Sequence, residues 1–458
     1  MVHPQEIRSE TMKTIYNARL VLDGKVQTGY VVISEGKIQD VAAGDPDGHL
    51  LDVCRDCLDA GGGWLLPGVI DTHVHFREPG LTHKATIAGE SRAAVAGGVT
   101  SYIDMPNVVP PTVTLDALED KWTRGRRDSL ANYSFYIGAT ADNVDMLIHD
   151  IDYTRVPGVK VFLGSSTGGM LVDDARVLRR IFGEVPALIA VHSEDETMIR
   201  KGMDQARAKW GDDVPVAWHP AIRSEEACYR STCRAIELAR ELGTRLHVLH
   251  VTTARELELF EAGDLAHKRI TAEACVGHLW FSDRDYERLG NRIKVNPAIK
   301  TVADRDALRC AVRDGVIDVV STDHAPHTLA EKSQKYLKSP SGMPLAQFSL
   351  VTMLELVREG WLTIEQVIEK MCHAPAQLFG IIGRGYLRKG YQADLVLVED
   401  VPQGFALTDG DVLSACGWTP LAGAVMHHRV VCTWVNGVEV YPHEPGVSPA
   451  QALRFDRT

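Results

Sequence analysis

The chain has 458 residues, 45% hydrophobic and 24% charged, with a formal net charge of −12. That composition is ordinary for a globular protein and suits one large domain with a smaller one beside it. The acidic balance excludes a general attraction to nucleic acid or anionic membrane, so any anionic ligand needs a local basic pocket.

The opening "MVHPQEIRSE" lacks the apolar core of a secretion signal, and no apolar run approaches the roughly 20 residues that cross a bilayer. Nine cysteines argue for reduced thiols and a cytoplasmic setting. Cys54 and Cys57 form a C-x-x-C, but no second pair completes a four-cysteine zinc site, so the pair reads as structural or incidental.

Residues 13–59 hold short runs such as "TIYNARLVL" and "GYVVISEGKIQDV" between glycine turns. They read as antiparallel strands. From "LLPGVIDTH" onward the pattern changes to long β-branched runs alternating with helical segments. The further runs are "VTSYIDMPN", "ANYSFYIGAT", "GVKVFLG", "ALIAVHSE", "RLHVLHVT", "RITAEACVGH" and "VIDVVSTDHAP", eight in all. Continuous apolar runs mark strands buried on both faces. Between them, "TLDALEDKW" opens with a threonine cap, and "SEEACYRSTCRAIELARELG" spaces its apolar residues along one face and stops at glycine. The expected fold is α/β: a (β/α)8 TIM-like barrel, favoured over a doubly wound sheet by the count of eight. Toward the end, "ADLVLVED" and "RVVCTWVNGVEVY" again read as antiparallel strands. The two ends are expected to pack as one small β-sandwich domain, giving 1–60 and 386–458 around a barrel at 61–385. Residues after about Glu444 read as a loosely held tail, and "EKSQKYLKSPSGMP" as a polar loop bordering the site.

In such a barrel the chemistry lies at the C-terminal strand ends. His73 and His75 end the first run and share a face, because side chains alternate along a strand. Lys160, His192, His250 and Asp323 end the fourth, fifth, sixth and eighth. Charges buried together need mutual compensation, and a divalent metal supplies it. Neutral imidazoles and carboxylates suit zinc. Two ions need a bridge, and a buried lysine, favoured as its neutral amine, can add CO2 to become a bridging carbamate. Read singly, each residue has a blander role: a paired lysine, hydrogen-bonded core histidines, an aspartate helix cap. His247 and His250 face opposite ways; His250, nearer the strand end, is taken as the ligand and His247 as structural. Arg77 suits an anion beside the metal, or a salt bridge to a neighbour such as Glu78.

The motifs "PGVIDTHVHFREPG", "DMPN", "GVKVFLGSSTG", "VHSED", "LHVT", "STDHAPH" and "GYQADLVLVE" span nearly the whole chain. Together they resemble the amidohydrolase superfamily, its cyclic amidohydrolase group, and within that group the dihydroorotases most. The resemblance implies two Zn2+ ions bridged by carboxylated Lys160, with His73, His75 and Asp323 on one ion and His192 and His250 on the other. It implies Arg77, Asn107 and His327 on the free carboxylate of a small anionic substrate, Asn296 on the pyrimidine ring, and His278, after the seventh strand, facing substrate. It carries the expectation of a homo-oligomer, a dimer or tetramer. The implied reaction is reversible cyclisation of N-carbamoyl-L-aspartate to L-dihydroorotate in pyrimidine biosynthesis, with metal-activated hydroxide attacking the cyclic amide in reverse. Asp323 is then the general acid/base.

Two positions depart from the pattern. Some dihydroorotases carry aspartate where this chain has Lys160. Ser339 in "SPSG" stands where alanine is common, which leaves one backbone contact to substrate open. The rival readings are allantoinase, dihydropyrimidinase or hydantoinase, whose substrates lack the ring carboxylate, and a non-catalytic assembly partner that has lost metal ligands.

Overall fold

The computed structural model describes residues 12–457 apart from 23, 55 and 165–169. The opening decapeptide and the end of the "GVKVFLGSSTG" run therefore lie outside the described residues.

The eight expected runs form eight parallel barrel strands. In order they are Val69–Val74, Val99–Asp104, Asn132–Phe135 continued by Ile137–Gly138, Val159–Phe162, Ile189–His192, Leu246–Val248, Ile270–Cys275 and Val319–Ser321. The third strand is split at Tyr136. Its first half pairs with the second strand and its second half with the fourth. The ring closes between the ends, where Val74 bridges His324 and His75 N donates to His324 O at 2.7 Å. Nearly every strand residue is buried, which is why these runs are apolar without alternation.

The helices begin and stop where the sequence implies. Thr114 Oγ1 accepts from Ala117 N at 3.2 Å to open Leu115–Asp128, and Ser224 does the same for Glu225–Leu242. Gly243, at φ 70°, ends the latter in a left-handed conformation that glycine adopts without a side-chain clash. No described helix is long and apolar enough to cross a membrane.

The two chain ends meet in one small domain. Hydrogen bonds join its eight strands into a continuous sheet, ordered Val438–Tyr441, Val425–Val435, Leu395–Ala406, Trp64–Pro67, Lys13–Leu22, Lys25–Ser34 and Lys37–Ala43, with Asp56–Asp59 also on Lys13–Leu22. The sheet is mixed rather than antiparallel throughout, because Asp56–Asp59 and Trp64–Pro67 run parallel to Lys13–Leu22. Trp64–Pro67 is the splice between the N-terminal and C-terminal strands, so the small sheet extends past the expected boundary at 60 to Pro67. Cys54 and Cys57 lie at its edge, and all nine cysteines are free thiols.

The end of the chain is not a loose tail. Leu453 N donates to Tyr133 O at 2.8 Å, Phe455 N to Thr154 O at 3.0 Å and Asp456 N to Gly380 O at 2.7 Å. Leu453 and Phe455 are buried in one cluster with Ile70, Ile103, Tyr136 and Phe379. Two apolar side chains in a polar segment are enough to dock it when the backbone also finds partners.

Candidate metal centre

All six proposed ligand side chains converge on one cavity of about 180 Å3, walled also by Arg77, Asn107, Asn296, His327 and Pro340–Gly342. The convergence follows from strand geometry. His73 lies within the first strand and His75 one residue beyond it, and both imidazoles point at Asp323, Nε2 to Oδ1, at 3.3 and 3.0 Å. Those ligand atoms all lie within 4.8 Å of one another. On the other side His192 Nδ1 is 3.0 Å from His250 Nε2. Lys160 is buried on the fourth strand and lines the same cavity.

The outer ring nitrogens decide what the inner ones offer. His73 Nδ1 donates to Glu273 Oε1 at 2.7 Å and His75 Nδ1 to Asn107 Oδ1 at 2.6 Å. Each Nε2 then presents a lone pair to the Asp323 carboxylate. Two acceptors at that distance repel unless a cation lies between them. The same holds on the second side, where His192 Nε2 donates to Glu194 Oε2 at 3.0 Å and turns its Nδ1 lone pair toward His250. His250 Nδ1 has no hydrogen-bond partner among the described residues. A donor set of neutral imidazoles, one carboxylate and one amine therefore fits divalent metal, zinc among the candidates.

The electrostatics agree. Burial pushes His75 down to about 4, against the pull of Asp323, and lowers His192 and His250 as well. Burial alone would raise the Asp323 carboxyl, but positive charge at His73 and His75, the place a metal cation would take, holds it well below the usual range. Burial pushes the Lys160 ammonium down to about 7, with Asp323 and Glu273 opposing, so the neutral amine is accessible near neutral pH. Backbone strain is concentrated here too: His250 at φ 38°, Asp323 at 49° and Arg77 at 67° are non-glycine residues in the left-handed region. Each costs of order 1–3 kcal/mol, and such strain clusters at functional sites.

Arg77 is buried, with Nε donating to Pro326 O at 3.0 Å and Nη2 lying 3.0 Å from His327 Nε2. The alternative pairing with Glu78 does not form. That carboxylate accepts instead from Arg124 Nη1 at 2.9 Å and Ile87 N at 3.0 Å. Asn296 lines the cavity, and its buried Oδ1 has no partner among the described residues. Asn107 lines the cavity but also orients His75, a role its place in the sequence did not suggest.

Two expectations shift and one holds. His278 does not border this cavity: it sits in the short helix Val276–Trp280, its Nε2 donates to Pro297 O at 3.0 Å, and its buried Nδ1 has no partner among the described residues. Ser341 rather than Ser339 stands in the wall, because the Ser339 carbonyl is turned away to accept from Lys294 Nζ at 2.5 Å. His247 is a core residue, as expected, with Nδ1 2.9 Å from Thr271 Oγ1. The supporting acids were missed altogether. Glu273 holds His73 and also accepts from His250 N at 3.2 Å. Glu194 holds His192 and is itself paired with the buried Arg223. An acid inside the apolar run "RITAEACVGH" is the signal that would have exposed Glu273.

Comparison with known proteins places this geometry. Residues 192–440 match the family described as "Amidohydrolase family", and residues 62–159 match one described as "Dihydro-orotase-like". A dihydroorotase of Halobacterium salinarum is 36% identical over 404 residues, covering 86% of this chain and 91% of that protein. A dihydroorotase of Methanosarcina mazei is 32% identical over 421 residues, covering 89% and 90%. An allantoinase of Bacillus velezensis is 29% identical, covering 93% of each chain. Among solved structures, an L-hydantoinase (dihydropyrimidinase) from Arthrobacter aurescens superposes with a TM-score of 0.88 at 27% identity, covering 97% of this chain and 100% of that one.

Proposed function

The chain belongs to the amidohydrolase family, in its dihydroorotase-like branch, and from that premise we propose that it closes N-carbamoyl-L-aspartate to L-dihydroorotate and reopens it. It is a cyclic amide hydrolase. One observation carries the choice of substrate: Arg77 lies buried in the cavity wall beside the metal ligands, and among the described residues no carboxylate is hydrogen-bonded to it. A planar guanidinium held there matches a substrate carboxylate, and that group is missing from hydantoin and allantoin.

We further propose that His73, His75 and Asp323 hold one Zn2+, that His192 and His250 hold a second, and that Lys160 bridges them as a carbamate. The neutral Lys160 amine adds CO2 and releases one proton, which turns a misfit ammonium into a carboxylate. The chemistry supplied by such a pair of ions is Lewis acidity, which polarises the amide carbonyl and ionises water near neutral pH. The remaining steps belong to the chain. Arg77, His327 and Asn296 orient the ring, and the enclosing wall at Pro340–Gly342 restricts water. In hydrolysis the Asp323 carboxylate, ionised at rest, takes a proton from the attacking water and returns it to the leaving ring nitrogen. In cyclisation it takes the proton from the ureido nitrogen.

The test is a substrate panel run with metal quantification: dihydroorotate and carbamoyl aspartate against hydantoin, dihydrouracil and allantoin. Preferred turnover of dihydroorotate is expected. Faster allantoin turnover would assign the chain to the relative at 29% identity instead, and fewer than about one metal per chain in active preparations would remove the two-ion reading.

A further inference from the structure

His327 Nδ1 faces Lys84 Nζ at 3.0 Å. Its Nε2 faces two groups, Ser341 O at 2.9 Å and Arg77 Nη2 at 3.0 Å. The backbone of the same residue is anchored by Trp418, a buried side chain whose Nε1 donates to the His327 main-chain carbonyl at 2.8 Å. The three contacts of the ring nitrogens favour one arrangement of protons, since Glu331 Oε2, at 3.9 Å from Nδ1, lies beyond hydrogen-bond reach. An ammonium and a guanidinium only donate, a carbonyl only accepts, and a neutral imidazole does one of each. Nδ1 against the ammonium must accept, so the proton lies on Nε2 and is donated to Ser341 O. The opposite tautomer would set N–H against the ammonium and a lone pair against the carbonyl. A doubly protonated ring is opposed by burial and by Arg77, Lys84 and Lys332 around it. With the proton on Nε2, the Arg77 Nη2 hydrogens that face it find no acceptor there.

We propose that Lys84 is a positioning residue for carboxylate recognition: its ammonium fixes the His327 proton on Nε2 and thereby keeps Arg77 Nη2 without an acceptor on that ring until an anionic substituent arrives. The proposal rests on the functional reading above. A carboxylate entering the cavity accepts from Arg77 Nη2 and from the His327 Nε2 proton, which leaves Ser341 O. A ring without that carboxylate gains neither bond. Lys84 thus acts on selectivity for the anionic ring through His327, without touching the reacting amide. Its second contact, to Glu331 Oε1 at 3.1 Å, aims the ammonium by tying it to the helix Leu329–Lys332.

The experiment uses the metal-loaded full chain with Lys84→Met and Lys84→Arg. For Lys84→Met, KM for dihydroorotate rises at least about tenfold while kcat stays within about threefold and metal content is unchanged. Inhibition by orotate, which carries the ring carboxylate, weakens in parallel, whereas inhibition by uncharged dihydrouracil does not. Lys84→Arg recovers most of the loss. In 15N spectra the His327 signals, identified by their loss in His327→Gln, show an unprotonated Nδ1 in the wild type and a tautomer mixture in Lys84→Met. An unchanged KM with an unchanged tautomer overturns the proposal. So does an equal loss against charged and uncharged ligands, which marks a purely structural lysine. If the wild type does not turn over dihydroorotate, the functional reading fails, while the tautomer measurement still decides the role of Lys84.

Discussion

Glu273 Oε1 lies 2.7 Å from His73 Nδ1, so an acid on the seventh barrel strand fixes a histidine on the first. Both side chains are buried, and the same oxygen accepts from His250 N. Burial would raise the Glu273 carboxyl, but His73 and His247 hold it well below its usual range, so it stays ionised. One carboxylate therefore braces a ligand from each proposed metal position. Glu273→Gln keeps the shape but weakens the hold on the His73 proton. Metal affinity should fall by about 10–100-fold, the usual effect of removing an outer partner of a ligating histidine. Equilibrium dialysis against graded zinc buffers measures it, and wild-type affinity would reduce Glu273 to a packing role.

Lys160→Ala should abolish turnover and lower metal content, and short carboxylic acids should partly restore both. A second readout needs no metal. In metal-free protein the Lys160 amine becomes neutral as pH rises through about 7, whereas an exposed lysine stays charged until roughly 10.4. Uptake of 13C-labelled bicarbonate as a carbamate signal should rise across that same interval and be absent in Lys160→Ala. Linkage has a definite sign here. Between about 7 and the unfolded lysine value the unfolded state binds more protons at this site, so its contribution to stability increases with pH. A Lys160→Met protein should lack that slope. Zinc content and rate unchanged in Lys160→Ala would exclude a bridging role.

Arg77→Met should cripple dihydroorotate turnover with both metals retained. Losing one member of a buried charge pair typically costs about 2–5 kcal/mol, which is roughly 30- to 5,000-fold in kcat/KM. Arg77 hydrogen bonds go to Pro326 O and face His327, not to a metal ligand, which is why metal content should hold. Loss of metal together with activity would show that the arginine supports the centre rather than the substrate.

The parts of this molecule that chemistry forces into the open were legible in the sequence. Eight long β-branched runs with polar groups at their ends required a barrel and a shared site, and His73, His75, Lys160, His192, His250 and Asp323 do meet at one cavity. What the sequence hid is set by tertiary placement. Nothing local says that Asn107 will turn its oxygen to His75, or that Glu194 will lie between His192 and Arg223. The left-handed backbone at Arg77, His250 and Asp323 is equally silent, because the surrounding barrel imposes it against local preference. The place of His278 was not legible either, because proximity in sequence to a strand end does not fix which side of the chain faces the cavity.

The chain end misled for a related reason. Its segment is polar, and disorder follows from too little apolar surface to offset chain entropy. Phe455 nevertheless packs with Phe379 and Leu453, and Arg457 donates to Tyr153 O, Phe379 O and Val156 O. Phe455→Ala should therefore destabilise the barrel by about 3–5 kcal/mol, the range for a buried phenylalanine. Arg457→Ala should cost less, because the carbonyls it leaves can be reached by water. Neither residue lines the metal cavity, so metal content and KM should stay at wild-type values while the thermal midpoint falls. A midpoint that does not move in Phe455→Ala would mean that the segment lies on the barrel without supporting it. A fall in metal content would mean that the cluster around Phe455 and the metal site are coupled through the strands they share.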